Sequence, residues 1–376
     1  MDHLFAKMRN LFLGHDRPTS LIHFLTHRCN ACCPHCFIDF RGEPDRQPPL
    51  SLSDIDRMTR SAGPQLMNVN LTGGEPFLVQ EIEAISELYL RNTSIDSIFI
   101  STNGGFPDAI ERYAQTVAAR HPGTKFIVSI SIDHIGSCHD QYRKAPNLFE
   151  KALESYHLLR NRGDHLMPNV TITVSQANAG EIEFIFDELT RRHHVVSLTA
   201  NLVRDEGRYR TPPEVKEKIL AAYATLTHLI QDGMRRGILL GMNERTLLGR
   251  LMNCKEAIMV EQIHQAFARP GYRLPCRAGG GLLGVIHPNG DVFPCELLPH
   301  KKLGNLRDFD MDLPLLWQAN APLRQWILDS RCHCTYECAW SYNLLASPRY
   351  WPRFGWSCIP SFRLGARPGT TPRPRT

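Results

Sequence analysis

The sequence contains no apolar run near the ~18 residues that a membrane-spanning helix needs. Its first residues also lack the continuous apolar segment and the cleavage site of a secretory signal. The formal net charge of +5 over 376 residues is too small to indicate nucleic-acid binding. A disulfide framework is disfavoured in a long chain without a secretory signal, so two groups among the twelve cysteines indicate metal centres.

Tryptophan is confined to the last part of the chain, where all five lie at or beyond residue 317. This shift in composition indicates a distinct C-terminal region. Together with the patterns described below, it divides the chain into an amphipathic N-terminal helix (1–20), a core (21–210), a helical linker (211–270), a cysteine-rich module (271–360) and a disordered tail rich in proline and arginine (361–376).

Apolar residues recur at helical spacing in residues 1–14, at Leu4, Phe5, Met8, Leu11 and Phe12. This spacing predicts a short amphipathic helix. We expect the helix to cover the bottom of the core. A contact with a membrane surface or a partner is the alternative.

Strand and helix patterns alternate six times between residues 21 and about 205. The strands are predicted at Leu21–Thr26, Val69–Thr72, Ile98–Ile100, Phe126–Ile132, Val170–Val174 and Val195–Val203. Units of roughly 30 residues are typical of βαβ crossovers, whose right-handed connections curl parallel strands into an open barrel. The sequence therefore predicts an α/β fold with its chemistry at the carboxyl ends of the strands.

Three cysteines follow the first predicted strand with the spacing C-x3-C-x2-C, at Cys29, Cys33 and Cys36. Three thiolates on one loop suit a 4Fe-4S cluster with one iron left open, as expected of a reactive metal site. A zinc knuckle is the alternative, but the paired C-x2-C spacing of zinc ribbons is missing. Cys32 interrupts the spacing and is interpreted as a neighbour rather than a ligand.

This loop resembles the cluster loop of the radical S-adenosylmethionine (SAM) enzymes. The resemblance implies a partial (β/α)6 TIM-like barrel in which SAM chelates the open iron and is cleaved to methionine and a 5'-deoxyadenosyl radical. It also implies oxygen sensitivity, hence a reducing cytoplasm, and a flavodoxin or ferredoxin as reductant. His35 stands where the family usually has an aromatic residue.

Further family motifs follow the later strands. The resemblance implies SAM-binding roles for the GGEP turn, and we expect a side chain at Gly74 to meet the methionine part of SAM while leaving the cluster intact. The implied SAM-binding residues are Gly73, Gly74, Glu75, Pro76, Asn103, Ser131, Asp133 and Arg143. A surface salt bridge is the alternative for Arg143. Residues 201–204, at the end of the sixth strand, and Glu206-Gly207 after them either face adenine or substrate or form a solvated loop.

The C-terminal cysteines resemble the auxiliary-cluster module called SPASM, or its shorter form, twitch. Cys276 and Cys295 flank a predicted hairpin with its turn at Asn289-Gly290. The later spacing is C-x-C-x3-C, which departs from a full SPASM module. We therefore expect one auxiliary 4Fe-4S cluster held by Cys276, Cys295 and two of Cys332, Cys334 and Cys338, with structural zinc as the alternative and Cys358 unassigned.

The predicted function is hydrogen abstraction from a substrate by a SAM-derived radical. A peptide or natural-product precursor is one substrate class, and a small metabolite, sugar or lipid is the other. Because the cysteine loop begins at residue 29, we expect a peptide substrate to need a separate recognition partner. A non-catalytic iron–sulfur or zinc-binding protein is the alternative from a different class.

Overall fold

The computed structural model describes Phe12 and residues 16–36, 47–205, 209–241 and 246–357. The helix predicted over 1–20 lies largely outside these residues, as does the predicted membrane or partner contact. The tail 361–376 and Cys358 also lie outside them. No helix in the described ranges is both long and apolar enough to cross a membrane.

One nine-stranded sheet forms the centre of the fold, in the order β6-β5-β4-β3-β2-β1-β7-β8-β9. Strands β1 to β6 are parallel throughout, and within the described residues the two edges of the sheet, β6 and β9, do not pair. The prediction of a partial α/β barrel is confirmed. The strands are β1 (Ser20–Phe24), β2 (Asn68–Thr72), β3 (Ser97–Thr102), β4 (Lys125–Ser131), β5 (Leu166–Val174), β6 (Leu198–Leu202), β7 (Leu283–Ile286), β8 (Asp291–Phe293) and β9 (Gly304–Asn305).

The helices follow the strands as the alternating pattern predicts. The first begins with a capping box, in which the Ser51 hydroxyl accepts from the backbone N–H of Asp54 at 3.1 Å. The helices are α1 (Leu52–Ala62), α2 (Ile82–Asn92), α3 (Pro107–Thr116), α4 (Ser137–Arg143), α5 (Leu148–Leu159), α6 (Ile182–Asp187), α7 (Pro213–Arg235), α8 (Leu247–Ala268), α9 (Leu313–Ala319), α10 (Ala321–Asp329), α11 (Glu337–Ala346) and α12 (Trp351–Ser357).

The two faces of the parallel strands differ in polarity. In β4, Phe126, Val128 and Ile130 are buried in the main hydrophobic core, whereas Ser129 and Ser131 on the opposite face are only partly buried. Parallel strands covered by protein on both faces are apolar on both. The polar second face therefore marks the interior of the open barrel, where the Ser129 hydroxyl bonds Thr171 at 2.5 Å.

The C-terminal region continues the barrel sheet. Strand β7 pairs in parallel with β1, matching Ser20 with Leu283, and the predicted hairpin of β7 and β8 is confirmed. Helix α11 contacts the barrel at two places. Its Glu337 pairs with Arg204 beyond β6, and the hydroxyl of its Tyr342 contacts Asn68 in β2. Helix α8 lies within the predicted helical linker (211–270), although its bounds were not predicted because the sequence pattern there is mixed.

Candidate active site and a second cysteine site

The loop that carries Cys29, Cys33 and Cys36 leaves β1 and is bonded to the turn after β2. The backbone N–H of Gly74 donates to the carbonyl of Thr26 at 2.7 Å, and that of Glu75 donates to Arg28 at 2.8 Å. Arg28 directly precedes Cys29, and Thr26 lies three residues before it. The GGEP turn therefore fixes where the cysteine loop begins.

Glycine is required in this turn by the approach of two backbones. A Cβ atom at Gly74 would lie 2.0 Å from the carbonyl oxygen of Arg28, and one at Gly73 would lie 2.4 Å from that of Thr26. Gly73 also has a positive φ of 151°. This corrects the expectation that a side chain at Gly74 would leave the cluster intact, because the atoms it meets first belong to the cysteine loop.

Glu75 of the same turn points into the protein. Its fully buried carboxylate accepts from the Thr102 hydroxyl at 2.7 Å and from the backbone N–H groups of Asn103 at 2.8 Å and Phe77 at 3.2 Å. Burial raises the pKa of Glu75 to about 7, while these hydrogen bonds favour the charged form. Glu75 thus joins the loops after β2 and β3, and Pro76, also buried, begins the short 3-10 turn beside it.

Asn103 completes the connection between the loops. Its side-chain amide donates to Asn30 Oδ1 at 2.7 Å and lies 3.8 Å from the sulfur of Cys29. Its Oδ1 accepts from the backbone N–H of Gly105 at 2.8 Å. Asn103 is thus an implied SAM-binding residue whose side chain contacts a cysteine of the loop.

Asp133 and Arg143 form a buried ion pair behind the cysteine loop. Arg143 donates to Asp133 Oδ2 from Nε at 2.9 Å and from Nη2 at 2.7 Å, while the backbone N–H of Thr173 donates to Oδ1 at 2.9 Å. Burial alone would raise the pKa of Asp133, but Arg143 and two histidines outweigh it and lower this pKa to about 2. The alternative of a surface salt bridge for Arg143 is wrong, since both side chains are buried.

Helix α4 holds the other end of the cysteine loop. The backbone N–H of Cys32 donates to the carbonyl of Arg143 at 2.8 Å. The ring of His35 stacks on Tyr142, with centroids 5.1 Å apart and planes at 11°. The Nε2 of His35 also lies 3.8 Å from Asp133 Oδ2.

The three predicted cluster cysteines are gathered on this one loop. Burial raises the pKa of the Cys33 thiol to about 11, and the thiols of Cys36 and Cys29 add to the rise because they lie within electrostatic range. Binding to iron would release these thiol protons. The gathered thiols, partly exposed, fit a cluster with one iron left to a ligand.

A second cysteine site lies beside the β7–β8 hairpin. Its cavity of about 140 Å³ is lined by four cysteines. Cys276 and Cys295 are buried and come from either side of the hairpin, whereas Cys332 and Cys334 come from the loop before α11. The cavity is lined by as many thiols as a fully ligated 4Fe-4S cluster needs, which fits the expected auxiliary cluster.

Helix α11 supports this cavity with two side chains, Asn343 and Trp340. The Asn343 amide lies 3.6 Å from the sulfur of Cys276, and its Oδ1 accepts from the backbone N–H of Ala278 at 2.9 Å. Trp340 Nε1 donates to the carbonyl of Cys334 at 2.8 Å. In the sequence, the one signal for the role of Asn343 is that a polar residue stands one helical turn after Trp340.

Arg204 differs from both expectations for the segment after β6. Its side chain is only 14% exposed and pairs with Glu296 at 3.6 Å and Glu337 at 3.2 Å. The Arg204 side chain is therefore neither solvated, as it would be in a surface loop, nor free to face a ligand. Its partners are 92 and 133 residues away, a distance that no local pattern bridges.

Single-ion geometry is absent from both cysteine sites. A structural zinc ion draws its sulfur ligands to about 2.3 Å from one point. In the ranges that the structure describes, no three cysteine, histidine, aspartate or glutamate side chains converge so closely. The thiolate ligands of a 4Fe-4S cluster surround four irons rather than one ion, so they lie further apart.

Residues 24–189 match the model of the Radical SAM superfamily. The chain therefore contains a radical SAM domain. This domain runs from the last residue of β1 to the π-helical turn after α6. It includes the cysteine loop, the GGEP turn, Asn103, Ser131 and the Asp133–Arg143 pair.

Relatives extend the similarity of the radical SAM domain to most of the chain. "Antilisterial bacteriocin subtilosin biosynthesis protein AlbA" of Bacillus subtilis (strain 168) is 25% identical over 332 residues, which cover 85% of this chain and 66% of that protein. "Pre-heme d1 synthase" of Dinoroseobacter shibae is 31% identical over 164 residues, covering 42% of this chain and 37% of that one. The chain thus spans two thirds or less of the length of these relatives.

The fold around the radical SAM domain is also found in solved structures. Native anSMEcpe with bound AdoMet and Cp18Cys peptide is similar with a TM-score of 0.57 and 18% identity, over 91% of this chain and 99% of that one. At this identity the likeness concerns the fold alone. It covers the C-terminal region as well as the barrel.

Proposed function

We propose that this chain is a radical SAM enzyme that abstracts a hydrogen atom from a peptide substrate. The observation that carries the proposal is the junction of three loops at the carboxyl ends of β1, β2 and β3. Glu75 joins the second and third loops, and Asn103 joins the third to Cys29. One buried network thus aligns the cysteines with the turn that would receive SAM.

The residues of the chain have separate tasks in this proposal. Cys29, Cys33 and Cys36 would hold a 4Fe-4S cluster, which when bound and reduced supplies the electron that cleaves SAM to methionine and a 5'-deoxyadenosyl radical. The GGEP turn would offer backbone carbonyls to the SAM ammonium. Ser131, partly buried on the interior face at the end of β4, would meet the ribose.

For Arg143 we add a positioning role to the SAM binding that the resemblance implies. Its Nε and Nη2 are already bonded to Asp133, so we propose that it positions the cysteine loop through Cys32 and Asp133. Any contact with the SAM carboxylate would use the remaining edge of the guanidinium.

Formation of 5'-deoxyadenosine tests the proposal. Anaerobically reconstituted protein with dithionite and SAM should form it, and Cys33→Ala should abolish its formation. Cys32→Ala is the matched control, because its contact to Arg143 is made by the backbone N–H and survives the substitution. Equal loss in both variants would contradict the assignment of the three ligands.

A peptide is the proposed substrate because a relative matched over 332 residues is named for biosynthesis of a bacteriocin. A separate recognition partner and a flavodoxin or ferredoxin reductant belong to the same proposal. The name of the pre-heme d1 synthase favours a small metabolite as the second candidate. Extracts from cells grown in deuterated medium, separated into peptides and metabolites, distinguish the two by which fraction delivers deuterium to 5'-deoxyadenosine.

We propose that the C-terminal region is a SPASM- or twitch-type module with one auxiliary 4Fe-4S cluster. Its ligands would be the four cysteines that line the cavity: Cys276, Cys295, Cys332 and Cys334. Cys338 lies one turn further, in the first turn of α11, and packs against the same hydrophobic cluster without lining the cavity.

A further inference from the structure

We propose that Arg204 is a positioning residue for the C-terminal cysteine site, where it holds two acidic side chains in place and offsets their charge. The inference rests on the proposed auxiliary cluster. By this inference Arg204, which lies in the barrel, affects the reduction potential of the auxiliary cluster in the C-terminal region.

The first observation is the geometry of the ion-pair cluster. Arg204 follows β6, at one edge of the sheet. Glu296 follows β8, one strand from the other edge, and Glu337 begins α11. Arg204 reaches both carboxylates, with its Nη1 3.6 Å from Glu296 Oε2 and its Nη2 3.2 Å from Glu337 Oε2. Its guanidinium also lies 4.4 Å from the ring centre of Tyr336. One side chain thus bridges the open side of the barrel.

The second observation is the sequence position of the two carboxylates. Glu296 directly follows Cys295, and Glu337 directly precedes Cys338. Glu296 is 8% exposed and Glu337 is 14% exposed, so water screens neither charge well. Burial raises the pKa of the Cys338 thiol, and Glu296 adds to this rise whereas Arg204 opposes it.

Charge near a cluster affects its potential in a defined direction. Reduction adds an electron, so a nearby cation favours the reduced form and a nearby carboxylate disfavours it. With Arg204 in place the three side chains carry a net charge of about −1, and without it about −2 at pH values where both carboxylates are ionised. Arg204 therefore raises the potential of this site, and either glutamate lowers it.

The test uses a parent in which Cys29, Cys33 and Cys36 are alanine, so that iron signals come from the C-terminal site alone. Midpoint potentials are measured by redox titration with electron paramagnetic resonance. Arg204→Met should shift the midpoint to more negative values and Glu337→Gln to more positive ones. The double variant should lie between them, and Arg204→Lys should stay near the parent. Shifts of opposite sign are not expected from a purely structural role.

A surface ion pair provides the matched controls. Arg112 and Glu83 pair at 2.8 Å on the outside of the barrel, so Arg112→Met and Glu83→Gln should leave the midpoint unchanged. Two single variants that both match the parent, or shift in the same direction, would overturn the inference. If Arg204→Met binds no iron, Glu337→Gln decides: a positive shift supports the inference and no shift overturns it. A parent that binds no iron contradicts the proposed auxiliary cluster instead.

Discussion

The two cysteine sites are built in opposite ways. The N-terminal loop is held mainly by its backbone, through Gly74, Glu75 and the carbonyl of Arg143, and its cysteines remain partly exposed. The C-terminal site is held mainly by side chains of α11, and Cys276 and Cys295 are buried at 7% and 8% exposure. The loop cysteines of the first site are all partly exposed, whereas the second site combines two buried cysteines, Cys276 and Cys295, with two partly exposed ones, Cys332 and Cys334.

This difference matches what open and closed metal sites require. A site that exchanges a ligand needs a coordination position accessible from outside, while a site fully held by protein does not. Three cysteines at the mouth of the barrel and four around an enclosed cavity fit these two demands. The comparison predicts that the sites respond to different substitutions.

The largest effect is expected from removing one set of ligands. Wild-type protein should contain about eight irons, and a Cys29, Cys33, Cys36 triple alanine variant about four, because each 4Fe-4S cluster carries four. The variant should keep an iron–sulfur absorption band and form no 5'-deoxyadenosine. Iron analysis and absorption spectra measure both.

Two further changes in that variant sharpen the assignment. Adding Cys334→Ala should remove the remaining iron, whereas Cys338→Ala should keep it, because Cys334 lines the cavity and Cys338 does not. Zinc in place of iron, or dependence on Cys338, would show that the closed site is wrongly described.

The next effect concerns Gly74. Gly74→Ala would place Cβ 2.0 Å from the Arg28 carbonyl oxygen, so the cysteine loop must move. We expect a loss of about 1–3 kcal/mol in the free energy of unfolding and loss of iron from the N-terminal loop. Gly123→Ala is the control, since a Cβ there meets nothing within 4 Å. Iron retained at wild-type levels in Gly74→Ala would refute the close approach.

A smaller effect follows from the pKa of Glu75, which burial raises from 4.5 to about 7. The folded protein then holds a proton that the unfolded chain releases, so this contribution to stability is present below pH 4.5 and is lost as the pH rises towards 7. Between pH 5 and pH 8 the loss is on the order of 2 kcal/mol. Urea unfolding of wild type and Glu75→Gln at both pH values measures it as a difference.

The stability of Glu75→Gln should depend less on pH than that of wild type. The variant should be less stable at every pH, because one carboxylate oxygen that accepts hydrogen bonds becomes an amide NH2 group that faces other donors. Glu83→Gln, on the surface, should keep the wild-type pH dependence. Parallel pH profiles for wild type and Glu75→Gln would argue that Glu75 does not titrate in this range.

The smallest effect is expected at Trp340, in the closed site. Trp340→Phe removes the bond from Nε1 to the Cys334 carbonyl and should cost about 1 kcal/mol of stability. Trp351 makes a similar bond to Leu345, but it is exposed, so Trp351→Phe should cost less because water replaces the donor. Thermal unfolding compares the two, and equal costs would mean that enclosure does not matter at Trp340.

Much of this fold can be predicted from the sequence because its signals are local. Strand periodicity, the cap at Ser51 and the turn at Asn289-Gly290 each act over a few residues, and the structure has the elements they predict. Helix α8 is the exception in its bounds, since the sequence predicts only a helical linker over 211–270. It begins with Gly249 in its first turn, where the Thr246 hydroxyl caps it without the usual acidic partner.

The roles of the site residues were less accessible because their partners are distant along the chain. The sequence identifies Glu75 and Arg143 as important positions, but not that Glu75 binds donors 27 and 28 residues away or that Arg143 binds Asp133. A glycine motif predicts that another group packs closely against the backbone, but it does not identify that group. Here the approaching group includes the chain's own backbone.

The pairing of β1 with β7 has a consequence for the order in which the chain is made. During synthesis, β1 and its partner β2 emerge long before Leu283–Ile286, so one edge of β1 has no strand to pair with. An unpaired edge with the sequence Ser-Leu-Ile-His-Phe is a template for pairing with other chains. The nascent barrel therefore passes through an aggregation-prone stage that ends only when the C-terminal region arrives, and chaperone demand should fall at that point.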